Sequence, residues 1–450
     1  MTALTDRALR PTPSVPADQV HASLARHLLV DGYDLVVDLD RSHGSYLHDA
    51  RTGRDYLDLF TYFASNPIGT NHPGLTQDPE FLDRLQRVAV HKPSNSDIYT
   101  THLADFVDTF ARVVGHPELP HLFFIDGGAL AVENALKVAF DWKSRLNESR
   151  GIDPELGTRV LHLEGAFHGR SGYTLSLTNT DPNKVARFPK FDWPRIPAPY
   201  TGLDPDGSVR DAAALEAVTL QAARDAFAAH PHDIACFLME PIQGEGGDRH
   251  FRPQFLQAMR DLCHEHDALF VLDEVQTGLG MTGTTWAFEQ LGVVPDVVAF
   301  GKKAQVCGIM AGGRVDEVPD NCFTVGSRIN STWGGSLTDM VRSAQILRVI
   351  ERDGLVTRAA DLGAHLVARL RDLAARHPLA SNPRGAGLMC AIDLPDAATR
   401  DRVVSDLMAR GVLVLGCGTR SLRFRPSLAV ALGDLDAGLD ELDAVLGTLS

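Results

Sequence analysis

The sequence predicts an α/β protein: a mostly parallel sheet sandwiched by helices in a large domain, plus a smaller α+β domain. Three observations carry that prediction. After about residue 75, apolar runs of strand length alternate with longer helical patterns, the signature of a parallel sheet with crossover helices. Those runs are apolar at successive positions, as strands covered on both faces require. From about Ser336 the pattern changes to a long helix followed by short strands and further helices.

The elements follow in order. Residues 1–16, with Arg7, Arg10, Pro11, Pro13 and Pro16, read as a loose arm lacking the apolar core of a signal peptide. Gln19 to Leu29 carries apolar residues at helical spacing, and strand-like runs follow at 35–39, 45–47 and 56–60. Strands of the large domain are expected over 121–125, 159–163, 234–239, 268–272, 296–300 and 309–312, with helices near 130–147, 211–229, 253–266 and 286–291. Past Arg352 the expected order is helix, strand (387–394), helix, strand (412–415), strand (422–424), helix. The expected division is residues 1–75 as part of the small domain, 76–335 as the large domain and 336–450 as the C-terminal part of the small domain.

Composition narrows the function. The 450 residues carry a formal charge of −15, which argues against nucleic-acid and anionic-membrane surfaces, since both need basic patches. A few local arginines still suffice for an anionic ligand. The six cysteines are scattered with no CxxC pair or zinc-like spacing, so buried free thiols in the cytoplasm, and no metal, are expected. No stretch approaches the ~20 apolar residues of a membrane span. HExxH, Walker and Gly-x-Ser-x-Gly motifs are absent, so metalloprotease, P-loop and serine-hydrolase chemistry lack their groups.

What is present sits just past strand ends, where open α/β sheets bind ligands. Lys302 follows the run Val297-Val298-Ala299-Phe300-Gly301. A desolvated amine near a cation has a lowered pKa and can form an imine. Lys303 is adjacent; the two side chains point in different directions, so only one of them reaches a ligand. Asp273 ends the run Phe270-Val271-Leu272, where a carboxylate can pair with a ring cation or cap a helix, and Gln276 lies three residues on. Gly128 and Ala129 open a helix after a strand, and free amides there favour phosphate. Phe167 and Arg170 follow another strand, offering a stacking ring and a carboxylate grip, or else a core phenylalanine and an exposed arginine. Glu245 lies in the glycine-rich loop Glu240–Gly247. Arg423 and Arg425 would share one strand face, and either could be a plain surface charge. An amine that forms an imine and a carboxylate that keeps a pyridine ring protonated are the requirements of a pyridoxal phosphate site.

Over nearly the whole chain, from about Asp31 to the last helix, these segments resemble the class III (ω-amino acid) aminotransferases of pyridoxal phosphate fold type I. The motifs are Asp273-Glu274-Val275-Gln276-Thr277-Gly278, the Lys302 turn, Glu240-Pro241-Ile242-Gln243-Gly244-Glu245 and Asn330-Ser331-Thr332-Trp333-Gly334-Gly335. Within the class, segments 92–97, 127–137, 166–173 and 300–308 are similar to the lysine 6-transaminases.

The resemblance implies that Lys302 joins the cofactor, Asp273 pairs with the pyridine nitrogen, Gln276 reaches the phenolic oxygen and Phe167 stacks on the ring. It implies that backbone groups of Gly128 and Ala129 hold the phosphate. Thr332 would complete the phosphate cup of a neighbouring subunit, so a homodimer is expected. Arg170 would bind the α-carboxylate of L-lysine and the distal carboxylate of 2-oxoglutarate. Arg423 would take the α-carboxylate of 2-oxoglutarate or L-glutamate, and Glu245 would pair with Arg423 while an ω-amine is bound. Gln276 and Asn330 count among the substrate-binding residues. One departure is Ala129, where many class members have a hydroxyl residue. The implied reaction moves the ε-amino group of lysine to 2-oxoglutarate, either in lysine breakdown or in supplying a β-lactam precursor. Ornithine, 4-aminobutyrate and 2,4-diaminobutyrate are the alternative donors, and methylenes discriminate by only ~1–3 kcal/mol. An aminomutase or decarboxylase on the same fold is the alternative chemistry.

Overall fold

The computed structural model describes residues 15–204 and 207–449. Residues 1–14 of the expected arm lie outside them.

A seven-stranded sheet runs through the large unit in the spatial order His121–Ile125, Cys307–Ala311, Val297–Phe300, Leu269–Asp273, Ile234–Met239, Arg159–Leu163, Arg195–Ile196. Cys307–Ala311 is antiparallel to both neighbours, and the remaining pairings are parallel. The central strands Ile234–Met239 and Leu269–Asp273 are buried at every position, because both sheet faces are covered. On one face Cys236, Leu238, Leu269 and Val271 pack with Val132, Leu136 and Trp142 of the Gly128–Ser149 helix. On the other, Phe237, Met239, Phe270 and Leu272 pack with Phe255 and Met259 of Pro253–Glu265 and with Phe106 and Phe110 of Thr101–Val113. Successive residues serve opposite faces, the period of two that makes the runs read as uniformly apolar.

The smaller unit joins both ends of the chain. The antiparallel strands Val37–His43, Tyr46–Asp49 and Asp55–Asp58 are extended by Val412–Leu413, which lies parallel to Asp55–Asp58. A second antiparallel sheet has the order Ser381–Ala386, Met389–Asp393, Ser421–Phe424, Leu415–Cys417. The Leu337–Arg352 helix is shared between the units: Met340, Val341 and Leu347 enter the large core, while Ile346, Val349 and Ile350 enter the small one.

Two expectations are corrected, and elements that the sequence reading left unassigned appear. The run read as one strand over 412–415 is two short strands in different sheets, with Val414 at the crossing. Ser381–Ala386 is a strand despite Pro383 and Gly385; it is an edge strand with a register shift, where a missing N–H is tolerated. Pro79–Ala89 and Thr101–Val113 are helices that the sequence reading left unassigned. The N-terminal helix stops at Leu24, and Leu28 and Leu29 are exposed rather than forming its apolar face. No described helix is long and apolar enough to cross a membrane.

Candidate active site

Ends of the central strands and the loops beyond them enclose a cavity of about 180 Å³ lined by Gly128, Ala129, Phe167, His168, Glu240, Asp273, Gln276 and Lys302, among others. A larger cavity of about 490 Å³, lined by Phe63, Thr180, Lys184, Glu245 and Arg423, shares Glu245 with it.

The two lysines separate cleanly. Lys302 lines the smaller cavity and has φ +49°, a left-handed conformation that a non-glycine residue adopts at a cost. Burial pushes its amine down to about 8, and the guanidinium groups of Arg423 and Arg425 push the same way. Lys303 points elsewhere, donating to the Gln276 carbonyl at 2.7 Å and to the Ala64 carbonyl at 3.5 Å. It is buried as well, and burial followed by the Lys302 and Arg425 charges drives it well below the ordinary lysine range.

Asp273 is the last residue of its strand and caps no helix; a turn region follows as far as Trp286. Its Oδ1 accepts from the Val275 amide at 3.0 Å and its Oδ2 accepts from His168 Nδ1 at 2.8 Å. Two donors on a buried carboxylate fix its position. Gln276 is set by Arg425, whose Nε donates to Oε1 at 3.0 Å, so the amide nitrogen is left to donate. Arg425 is itself a buried ion-pair partner of Asp248. The surface reading of Arg423 and Arg425 is thereby overturned: both are buried, and Arg423 Nε has no hydrogen-bond partner.

Phe167 lines the cavity, and its loop is pinned by Glu240, whose Oε1 accepts the Phe167 amide while Oε2 accepts the Gly244 amide, each at 3.0 Å. Burial raises Glu240 to about 7, with Asp273 adding to the shift and His168 and the two amides opposing it. Gly128 and Ala129 are the first residues of a 22-residue helix, reached through Gly127 at φ +97°. Their amides have no partner within the helix and present an anion-binding end. Gly169 (φ +126°) allows this approach, since a Cβ there would lie 2.6 Å from the Ala129 Cβ.

Three other expected residues line neither cavity of their own chain. Arg170 is exposed, lines neither cavity and makes no ion pair among the described residues. Asn330 and Thr332 lie on an exposed loop, tied back by Ser96 donating to the Ser331 carbonyl at 2.8 Å, and line neither cavity within one chain. Glu245, expected on Arg423 only while an ω-amine is bound, pairs here with Lys184, and Thr180 donates to it at 3.2 Å. The sequence reading assigned no role to His168, Lys184, Arg425 or Asp248; their partners lie dozens to more than a hundred residues away, so no local spacing reveals them.

Thr61, Tyr62, Phe63 and Ala64 form a left-handed turn, with φ of +46°, +51°, +60° and +66°. Each such residue costs about 1–2 kcal/mol. Asp58 supports the turn by accepting the Phe60 and Thr61 amides at 3.0 and 2.7 Å, and Thr61 donates to the Arg425 carbonyl at 2.6 Å. The result places Phe63 in the wall of the larger cavity.

This donor set fits pyridoxal phosphate. Helix amides face an anion, a ring lines the wall, a fixed carboxylate matches a ring cation, and a buried amine with lowered pKa stands within the same cavity. No group of described residues could hold a metal ion.

Comparison with known proteins agrees. The class-III aminotransferase family pattern matches residues 30–446. The chain is 61% identical over 442 residues to the L-lysine-epsilon aminotransferase of Mycobacterium tuberculosis, covering 98% of this chain and 97% of that protein. It is 57% identical to the protein of that name from Amycolatopsis lactamdurans, covering 97% and 98%. The crystal structure of lysine aminotransferase from M. tuberculosis in the internal aldimine form superimposes with a TM-score of 0.94 at 61% identity, covering 97% of this chain and all of that one. The chain belongs to the class III aminotransferases, enzymes that use pyridoxal phosphate.

Proposed function

We propose that this enzyme transfers the ε-amino group of L-lysine to 2-oxoglutarate, giving 2-aminoadipate 6-semialdehyde, which cyclises to a piperideine carboxylate, and L-glutamate. The observation that carries the choice of donor is the 61% identity, over nearly both whole chains, to an L-lysine-epsilon aminotransferase; the 4-aminobutyrate aminotransferases reach 32–34%.

Pyridoxal phosphate, when bound, supplies an electron-accepting ring that stabilises negative charge on the carbon bearing the amine. The residues here would hold it: Lys302 by its amine, Asp273 at the ring nitrogen, Gln276 at the phenolic oxygen, Phe167 against the ring, and the Gly128 and Ala129 amides at the phosphate. Lys302 Nζ then serves as the base that takes a proton from the ε-carbon of lysine and as the acid in the return half. Its lowered pKa near 8 matches that double duty. Arg170, unpaired and next to the cavity loop, would anchor the α-carboxylate of lysine, which puts the ε-amine rather than the α-amine at the reacting position. Fixed orientation of this kind contributes several kcal/mol, up to roughly 7–11. Arg423, with a buried unpartnered nitrogen, would receive the α-carboxylate of 2-oxoglutarate.

The active unit is read as a homodimer in the cytoplasm. Ile98 and Tyr99 are 67% and 78% exposed, and Tyr62, Phe63 and Trp333 are exposed as well, apolar surface that a partner subunit would cover. Thr332 and Asn330 stand outside their own cavity, as residues that serve a neighbour's would. The six free buried thiols suit a reducing compartment.

The test is a panel of lysine, ornithine, 4-aminobutyrate and 2,4-diaminobutyrate with 2-oxoglutarate, scored for glutamate and cyclic imine. Lysine should lead by at least tenfold in kcat/KM; ornithine ahead of lysine overturns the donor assignment. Lys302→Ala should lose both the cofactor absorbance band and turnover.

A further inference from the structure

A separate cavity of about 90 Å³ shares no lining residue with the two that form the active site. Its wall carries Arg210, Arg249, Arg384 and Arg420, with Tyr200 and Asp393. It lies at the junction of the two units. Arg249 belongs to the hairpin that pairs Ile242–Gln243 with Arg249–His250, while Arg384 and Asp393 belong to the second sheet of the smaller unit. Charge there is unbalanced. Asp393 is buried and shared: Arg384 pairs with its Oδ1 at 2.8 Å and Arg420 with its Oδ2 at 3.4 Å. Ser421 and Asn382 donate to the same two oxygens at 2.6 and 2.9 Å. Arg210 pairs with Asp204 at 2.7 Å but keeps a buried Nε without a partner. The Arg249 side chain makes no ion pair or hydrogen bond among the described residues; its guanidinium carbon lies 4.3 Å from the centroid of the Tyr200 ring, and that of Arg210 lies 4.0 Å from the same centroid.

Four guanidinium groups thus meet two carboxylates among the described residues. Stacking on a ring shields a cation but takes none of its N–H donors. A partly buried guanidinium with unused donors is costly, and an anion relieves that cost. The donor set also selects the anion. A carboxylate is planar and is satisfied by one guanidinium fork. Here the guanidinium groups arrive from four separate chain segments, with Thr201 and Thr419 on the same wall. A phosphate group at neutral pH carries about −1.5 to −2 charges and three strong acceptor oxygens, which suits donors converging from several directions. The volume of about 90 Å³ is far below the roughly 300 Å³ at which ordinary small-molecule clefts begin, so it fits one anionic group and not a whole nucleotide.

We propose that this cavity binds a phosphate group, either inorganic phosphate or that of a small phosphomonoester, at a site separate from the cofactor. Arg249 and Arg210 supply the unused donors, and Asp393 holds Arg384 and Arg420 in place for the same anion. Bound there, the phosphate ties the large unit, through Arg210 and Arg249, to the smaller one, through Arg384 and Arg420.

Calorimetric titration of inorganic phosphate into the holoenzyme, at an ionic strength fixed with chloride, tests it. The wild type, Arg249→Met, Arg420→Met and Arg423→Met are compared, with far-UV circular dichroism and the cofactor absorbance band as checks on folding. One phosphate per chain should bind the wild type with a Kd below about 10 mM, and added phosphate should raise the thermal midpoint, as a ligand of the folded state must. Arg249→Met should weaken binding by about tenfold or more, the scale of one lost charge-assisted interaction. Arg420→Met, on the opposite wall, should weaken it similarly and reads the same site if Arg249→Met does not fold. Arg423→Met, in the larger active-site cavity, should keep the affinity within about twofold. Glycerol 3-phosphate separates the two sources: tighter binding of the ester assigns a phosphomonoester, tighter binding of the inorganic ion assigns free phosphate, and either supports the site. Glutarate, a dicarboxylate, should not displace phosphate from the Arg423→Met enzyme. A wild type that does not saturate by about 10 mM phosphate overturns the proposal. So does an affinity unchanged in both Arg249→Met and Arg420→Met, or one lost only in Arg423→Met, which would put the phosphate on an active-site arginine. Displacement by glutarate as strong as by phosphate itself would overturn it too, since the cavity would then take any anion.

Discussion

Lys302, the lysine that the proposed function places on the cofactor, shows how little of such a residue's character lies in its own identity. Its neighbour Lys303 is the same residue and equally buried, yet it is spent on two backbone carbonyls. Lys302 instead faces Asp273 within a cavity and carries a pKa near 8, lowered first by burial and then by Arg423 and Arg425. Cofactor capture needs the neutral amine, so the rate of holoenzyme formation from cofactor-free protein should rise with pH through about 8 and level off above it. Arg423→Met removes one depressing cation and should move that midpoint upward. A wild-type midpoint near the ordinary lysine value of 10.5 would contradict the electrostatics. Asp273 offers a second case. His168→Leu deprives Oδ2 of its donor, leaving the buried carboxylate less firmly oriented for pairing with a ring nitrogen. The lysine half-reaction should slow by about tenfold or more, the scale of a hydrogen bond to a charged group. Single-turnover rates equal to wild type, with cofactor fully bound, would remove His168 from this role.

Among the elements, the start of the Gly128–Ser149 helix and the left-handed turn at Thr61–Ala64 do most to shape the site. In the proposed function the helix end cradles the cofactor phosphate, and Gly169 lets its loop lie against Ala129 there. In Gly169→Ala the new Cβ would meet the Ala129 Cβ at 2.6 Å and Thr174 Oγ1 at 2.8 Å, at a φ of +126°. The strain, about 1–3 kcal/mol by the usual cost of overpacking, should appear as cofactor affinity at least tenfold weaker in a fluorescence titration. Unaltered affinity would mean that the loop yields without disturbing the helix end. The turn at Thr61–Ala64 contains no glycine, so nothing in its composition announces a left-handed backbone. It persists because Asp58 and the Arg425 segment satisfy its amides and the Thr61 hydroxyl. Strain held by surrounding structure at a cavity wall is a frequent mark of function.

For the whole molecule, the question is where one active site ends. Thr332 and Asn330 are exposed and line neither of their own chain's two cavities, and the homodimer reading assigns Thr332 to the neighbour's phosphate cup. A mixing experiment separates the alternatives. In a hybrid dimer of one Lys302→Ala chain and one Thr332→Ala chain, the site carrying an intact Lys302 receives an intact Thr332 from the other chain. Mixed and re-equilibrated variants should therefore exceed the mean activity of the two parents. Activity equal to that mean would place Thr332 in its own chain's site, and a monomeric sedimentation coefficient in the active enzyme would dismiss the shared site altogether.

The sequence alone determined six of the seven strands of the large sheet and the strand-end positions of Lys302, Asp273, Phe167, Gly128 and Ala129. Burial on both faces writes itself as contiguous apolar runs, and chemistry at strand ends sits at fixed short offsets from them. It also carried the family motifs. Only the tertiary structure put Lys302 rather than Lys303 in the cavity, buried the two neighbouring arginines Arg423 and Arg425, split the 412–415 run between two sheets, and set Glu245 on Lys184. Those outcomes depend on contacts such as Arg425 with Asp248, 177 residues apart. Charge pairing in a low-dielectric interior is decided by which groups the fold brings within a few ångströms, and that proximity has no period or spacing along the chain.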